Sequence, residues 1–337
     1  MAYTTIDDPE AYFQTVIYTG NGSANLAITL PGDTDMQPDL VWIKNRDSGD
    51  DGHCLFDAVR GATEVLASDS TAAESDDDDT LDSFASDGFQ VDADIKVNTN
   101  TEKYVAWCWK ESATSGFDIV SYTGTGSAKT ESHSLSAVPH VIICKNRTDA
   151  DSWRVYHHKN TSAPETDHLI LDESGATADD ATTWNDTAPT SSVFSVGDGD
   201  QTNENTDSFI SYHWTSKQGF NKFGSYTGNG NDDGPFVYTG FKPAWVLVKN
   251  TALAENWHLV DNKINPFNPM DTNLFPNLNN AVGTSSGDTG YDIDMLSNGF
   301  KVRTSDSTFN TNGNEYIYMA FAESPFVSSN GVPNNAR

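Results

Sequence analysis

Residues able to do chemistry fall in a few places. His53 and Asp57 have the look of half a hydrolase triad, a base and the carboxylate that orients it. The segments in the same place further along read Trp153 to His157 and Trp257 to Asp261, so the pair is not kept, and no Gly-x-Ser-x-Gly elbow occurs. Glycoside cleavage needs two carboxyl groups held across a cleft. Acids are abundant, yet none forms a compact acid-x-acid pattern on an aromatic strand. The three cysteines and eight histidines show no Cys-x-x-Cys or His-x-x-x-His spacing, which argues against zinc. Calcium fits better: Asp198, Asp200, Asn203, Asn205 and Asp207 lie in one loop and offer hard oxygen ligands, although not at EF-hand spacing. The acid run Asp76 to Asp79 reads as a solvated loop.

Aromatic side chains are the other candidates, because an exposed ring can stack on a sugar. Trp184 sits in the polar stretch Thr182-Thr183-Trp184-Asn185-Asp186 and is expected to be exposed. Trp153 and Trp257 share one position of a repeat and suit either a sugar platform or the core, with core the preferred reading. Lys44, Lys145 and Lys249 each end an apolar run and precede an asparagine. A solvent-exposed strand end followed by a turn explains that pair more simply than a ligand contact.

These residues must be positioned by something, and internal repetition shows what. Tyr-Thr-Gly-x-Gly begins at Tyr18, Tyr122 and Tyr226, 104 residues apart each time. A proline then leads into an apolar run ending in Lys-Asn: Pro38 to Asn45, Pro139 to Asn146 and Pro243 to Asn250. After it come the His53, Trp153 and Trp257 segments, a polar stretch, and a short run at Gly88-Phe89, Val193-Phe194 or Gly299-Phe300. An aromatic run closes each copy: Tyr104 to Trp109, Phe209 to Trp214 and Tyr316 to Phe321. Such order, found three times, is the mark of a repeat architecture.

Every recurring run is short, rich in Val, Ile, Tyr, Trp and Phe, and bounded by Gly, Asn, Asp or Pro, which reads as β-strand. No run sustains helical spacing. The run from Leu40 is apolar on both faces and is expected mid-sandwich. In the closing run one face carries Val105, Trp107 and Trp109, matched by Ile210, Tyr212 and Trp214 and by Ile317, Met319 and Phe321. That face is expected to be core. The fold class is all-β, as tandem antiparallel sandwiches of jelly-roll or lectin-like type. The units span 11–112, 113–217 and 218–327, after an N-terminal segment 1–10 and before a polar tail 328–337 suited to a docking arm. The short links favour units packed on one another.

Composition narrows the function. With 19 Lys and Arg against 49 Asp and Glu, the net charge is −30, which repels nucleic acid and anionic membranes. No apolar stretch is long enough for a membrane helix, and the start of the chain is polar and acidic, unlike a signal peptide. Three cysteines, Cys54, Cys108 and Cys144, make no disulfide framework and suit a reducing cytoplasm.

The runs Pro38 to Arg46, Leu55 to Gly61, Ser86 to Phe89 and Tyr104 to Lys110, with the Tyr-Thr-Gly-Asn-Gly motif, resemble a family of virion structural proteins of tailed marine phages, cyanophage-like in type. Its members have tail-fibre character or repeated lectin-like, concanavalin-type sandwiches. The likeness is densest in the first unit and loosest in the second. It implies a non-enzymatic protein displayed on a bacteriophage virion, made in the host cytoplasm, as a capsid decoration or a tail appendage. The expected partners are other virion proteins and further copies of the chain, a homo-oligomer, with no catalytic residues and no resident cofactor unless calcium. The alternative from a different class is a lectin-like module for host-surface glycans; a glycan depolymerase ranks behind both.

Overall fold

The computed structural model describes residues 2–283 and 291–334. It is all-β, built from antiparallel sheets. The first large sheet runs, in spatial order, Phe13–Thr19, Lys103–Trp109, Leu40–Asn45, Cys54–Asp57, Gly61–Leu66 and Ser75–Asp76. The second repeats that order with Phe117–Thr123, Ser208–Trp214, Val141–Asn146, Arg154–His157, Asp167–Ile170 and Ala178–Asp179. The third keeps four members: Asn221–Thr227, Glu315–Pro325, Phe241–Asn250 and His258–Asp261. Each is covered on one side by a small sheet, of three, two and three strands respectively. The strand from Leu40 lies inside its sheet with every residue buried, as its two apolar faces predict.

The alternating face of the closing strands is core, but not the core of a single sandwich. Val105, Trp107 and Trp109 join Ile210, Tyr212 and Trp214, and Ile317, Met319 and Phe321, in one cluster that all three large sheets share. The opposite face, with Tyr104, Ala106 and Cys108 in the first unit, packs against that unit's own small sheet. Each large sheet is therefore buried on both sides. Trp109 lies at the meeting point, its ring 6.4 Å from Trp214, 6.0 Å from Trp245 and 5.6 Å from Phe321. Edge-on aromatic packing of this kind adds to the burial of area.

Ring-like contacts join the units. Glu74 N–H donates to Arg147 O, Thr177 N–H to Thr251 O, and Val282 N–H to Arg46 O. These bonds run from first unit to second, second to third, and third back to first. The first two fall one residue before the short exposed edge strands Ser75–Asp76 and Ala178–Asp179 and anchor the start of each to the next unit. The two ends of the chain meet on the third unit's side. Thr4 Oγ1 donates to Gln218 O at 2.8 Å, and Ser329 N–H donates to Asp7 at 2.6 Å. The tail does not stand off as an arm: Asn334 Nδ2 reaches Ser297 O at 3.0 Å, and Val327 pairs with Pro333. Residues 335–337 of that tail lie outside the described residues.

Candidate functional site

Most of the residues singled out by type serve the seams between units. The lysines are not at exposed strand ends. Lys44 and Lys145 are fully buried and Lys249 nearly so, and each ammonium group gathers backbone carbonyls. Lys44 Nζ donates to Asn45 O, Ser48 O and Asp51 O. Lys145 Nζ reaches across to Thr71 O of the first unit at 3.1 Å, and Lys249 Nζ to Ser174 O of the second at 3.1 Å. Burial pulls all three ammonium groups down to about 8. A lysine can be buried this way because carbonyl oxygens replace its water.

The His53, Trp153 and Trp257 position is a second seam device. Trp153 Nε1–H donates to Ala67 O at 2.8 Å, and Trp257 Nε1–H to Ile170 O at 2.8 Å, each in the preceding unit. In the first unit His53 takes that role, with Nε2 at 3.0 Å from Phe275 O of the third. Its Nδ1 accepts from Trp42 Nε1–H at 2.9 Å, which fixes the neutral tautomer with the proton on Nε2. Asp57, His157 and Asp261 form a third device. Tyr212 O–H donates to Asp57 at 2.7 Å, His157 Nε2 lies 3.2 Å from Tyr318 O, and Asp261 accepts from Thr15 Oγ1 at 2.8 Å and Trp107 Nε1 at 3.1 Å. His53 and Asp57 thus bond to other units and not to each other.

Asp57 also holds Arg60, whose guanidinium bonds Glu74 at 2.9 Å; Glu74 then binds Arg147 of the second unit at 2.6 Å. Replacing Glu74 with glutamine should leave Arg147 without its carboxylate and Arg60 with Asp57 alone, and cost about 2 kcal/mol. Chemical denaturation of the variant checks this; an unchanged midpoint would mean that the bridge adds nothing to the seam.

The proposed sugar platforms are corrected. Trp184 is 2% exposed, not a loop-borne ring in solvent. It ends a one-turn helix, Ala181–Trp184, capped by Asp180, and its indole packs edge-on against Tyr156 at 6.1 Å. Trp153 and Trp257 are buried too, at 0% and 2%. None of the three can stack on a sugar from outside.

The proposed calcium loop does not converge. Asp198, Asp200 and Asn205 point to solvent, while Asn203 is buried and spends its amide on Ser127 O and Gly197 O. Asp207 is turned inward, where Asn146 Nδ2 donates to it at 2.9 Å. It does lie close to Asp149 and Glu204, and Asp77, Asp78 and Asp79 form a second close group. In the latter, Lys96 already pairs with Asp77 at 3.3 Å. The three cysteines are free and buried, and burial pushes the Cys54 and Cys144 thiols up to about 12.

One feature was not expected from residue types: a cavity of about 670 Å³ where the second and third units meet beside the N-terminal segment. That is the size of a small-ligand site. Its walls carry Lys159, Lys217 and Lys222, the stacked imidazoles of His140 and His158 with centroids 4.0 Å apart, and the hydroxyl-bearing Tyr318. Phe236 and Tyr238, each 46% exposed, stand at its rim. Burial holds His140 down to about 4, so both rings that face each other are neutral near pH 7 and the positive charge comes from the lysines.

The signal for this cavity lay in departures from the repeat. Gln14 and Asp118 are replaced by Lys222, Val16 and Val120 by Gly224, and Ala106 and Ser211 by Tyr318. Gly224 pairs with Tyr318 across the strands, and a Cβ there would lie 2.7 Å from the tyrosine hydroxyl. The glycine makes room for the large ring where the other units place a small residue.

Compared with known families, residues 8–325 match the model of a domain of unknown function, DUF7483. No curated protein matches. No solved structure matches.

Proposed function

Since the chain belongs to the DUF7483 domain family, whose single domain covers all three units, we propose that it acts as one body: a non-enzymatic structural protein displayed on a bacteriophage particle, as a capsid decoration or a tail appendage. The observation that supports this reading most is the use made of the repeated polar positions. The lysines, the His53, Trp153 and Trp257 set, and the Asp57, His157 and Asp261 set all stitch one unit to the next. A chain that devotes its recurrent polar groups to internal cohesion is built to persist, which is what a particle exposed to the outside requires. The acidic exterior keeps such a body soluble and off nucleic acid. The resemblance of its motifs to virion proteins of marine phages supplies the setting.

The test is a cryo-electron-microscopy reconstruction of the particle that carries this chain. A three-sheet body on the icosahedral shell supports a decoration; the same body confined to the tail supports an appendage. A purified particle lacking it at both places overturns the virion reading. The lectin-like alternative loses its three tryptophans, and what is left of it is the cavity between the second and third units.

A further inference from the structure

We infer that this cavity is a binding site for an acidic saccharide, one bearing a carboxylate or a sulfate ester. Charge is the first reason. In a chain with 49 acidic and 19 basic residues, the cavity is lined by three lysines and by no aspartate or glutamate. Among the described residues, none of the three lysines forms an ion pair. Lys217 and Lys222 are partly buried, and no carboxylate compensates that burial. Three ammonium groups lining one cavity, none met by a carboxylate, give it a positive potential that favours an anion.

The second reason is a free hydroxyl. Tyr318 is 3% exposed, and its hydroxyl lines the cavity with no hydrogen-bond partner among the described residues. A hydroxyl left without an internal partner at a cavity wall is free to donate to or accept from a bound ligand. The third reason is shape. Phe236 and Tyr238, both aromatic and half-exposed, line the cavity, and Lys222 Nζ sits 5.3 Å over the Tyr238 ring while donating to Tyr238 O at 2.7 Å. An aromatic face beside a cation suits a pyranose: its apolar C–H face meets the ring and its acidic group meets the ammonium.

The other seams serve as internal controls. Where the third unit meets the first, the matching space is only about 30 Å³, and its one lysine, Lys263, is accompanied by Glu10 and Glu323. Gln14 there is occupied by Gly32 N–H at 2.9 Å. Where the first meets the second, Asp118 stands in the place of Lys222 and accepts from Ser134 N–H at 2.6 Å. Of these three seams, among the described residues, the one between the second and third units combines room with positive charge.

The experiment is calorimetric titration of the full chain with a galacturonate trisaccharide, a sulfated galactose oligosaccharide and the neutral galactose trisaccharide. One or both acidic sugars should bind and the neutral one should not, with binding weakened at about 0.5 M salt. Which acidic sugar binds tells carboxylate from sulfate. The double variant K217Q/K222Q should bind at least about tenfold more weakly, and Tyr318→Phe several-fold more weakly, at unchanged melting temperature. Should the double variant unfold, Lys159→Gln and Tyr318→Phe carry the test. Failure of both acidic sugars to bind, equal binding of the neutral one, or binding indifferent to these substitutions would overturn the inference. The titration needs no particle, so its failure would leave the placement on a virion untouched.

Discussion

Replacing Trp109 with alanine is expected to lower the stability of all three units together, by about 3–5 kcal/mol. The indole is 2% exposed and touches aromatic rings from the second and third units as well as Phe13 of its own. Its Nε1–H has no partner among the described residues, so the substitution removes packing without orphaning an acceptor there. If the three sheets depend on one shared core, the loss cannot stay within the first unit. Urea unfolding followed by far-ultraviolet circular dichroism and by tryptophan fluorescence should then give a single transition, shifted as a whole. A variant in which one part melts early while the rest keeps the parent midpoint would show three separable sandwiches instead.

Mild acid is the second strong lever. His53, His157, His213 and His258 are at most 1% exposed, and burial depresses each imidazole: His213 and His258 to about 3, His53 and His157 well below the usual value. The unfolded chain binds a proton at each below about pH 6.5, and the folded chain does not. Stability is therefore intact above that pH and lost as the pH falls. Each such group costs about 1.4 kcal/mol per pH unit while it stays neutral in the fold, so His213 and His258 together amount to about 5 kcal/mol by about pH 4.5, with His53 and His157 adding in the same direction. Buried carboxyls act in the opposite sense. Glu111, raised to about 7 by burial and by Asp118, takes up its proton in the folded state first, and Asp69, Asp172 and Asp261 follow at lower pH. The histidines prevail because they are more numerous in the window from 6.5 to 5. The denaturation midpoint should fall steeply there, and His213→Phe should make the fall shallower. A flat profile from pH 6.5 to 5 would contradict the burial of these rings as neutral groups.

Period-two alternation made the strands and their inward faces legible in the sequence, because side-chain direction in a strand is a local property. It could not tell which body lay opposite each face. Trp107 and Trp109 look the same whether they meet a sandwich partner or two neighbouring units. Lys145 was misread for a related reason: what makes its burial tolerable is Thr71 O, 74 residues away. Trp184 lies among polar neighbours in sequence, yet its burial comes from Tyr156 on a distant strand. The cavity was legible in principle, since three mismatches between aligned copies mark it, but mismatches in a repeat look like drift until the strands are paired. Lys222, Gly224 and Tyr318 acquire meaning only through the register that sets Gly224 against Tyr318.

Closure of the ring bears on how the chain is made. The contacts that join its first and third units span 222 residues at His53 and Phe275 and 246 at Thr15 and Asp261. A ribosome delivers the first unit long before its third-unit partners exist. During that interval Trp107, the indole that Asp261 will accept from, faces water beside Trp42 and Trp109. Vectorial synthesis thus produces a nascent sandwich with a sticky flank, prone to join the flank of another nascent chain. Chaperone holding, or slow translation that keeps neighbouring polypeptides apart, would raise the soluble yield more than any change to the finished surface.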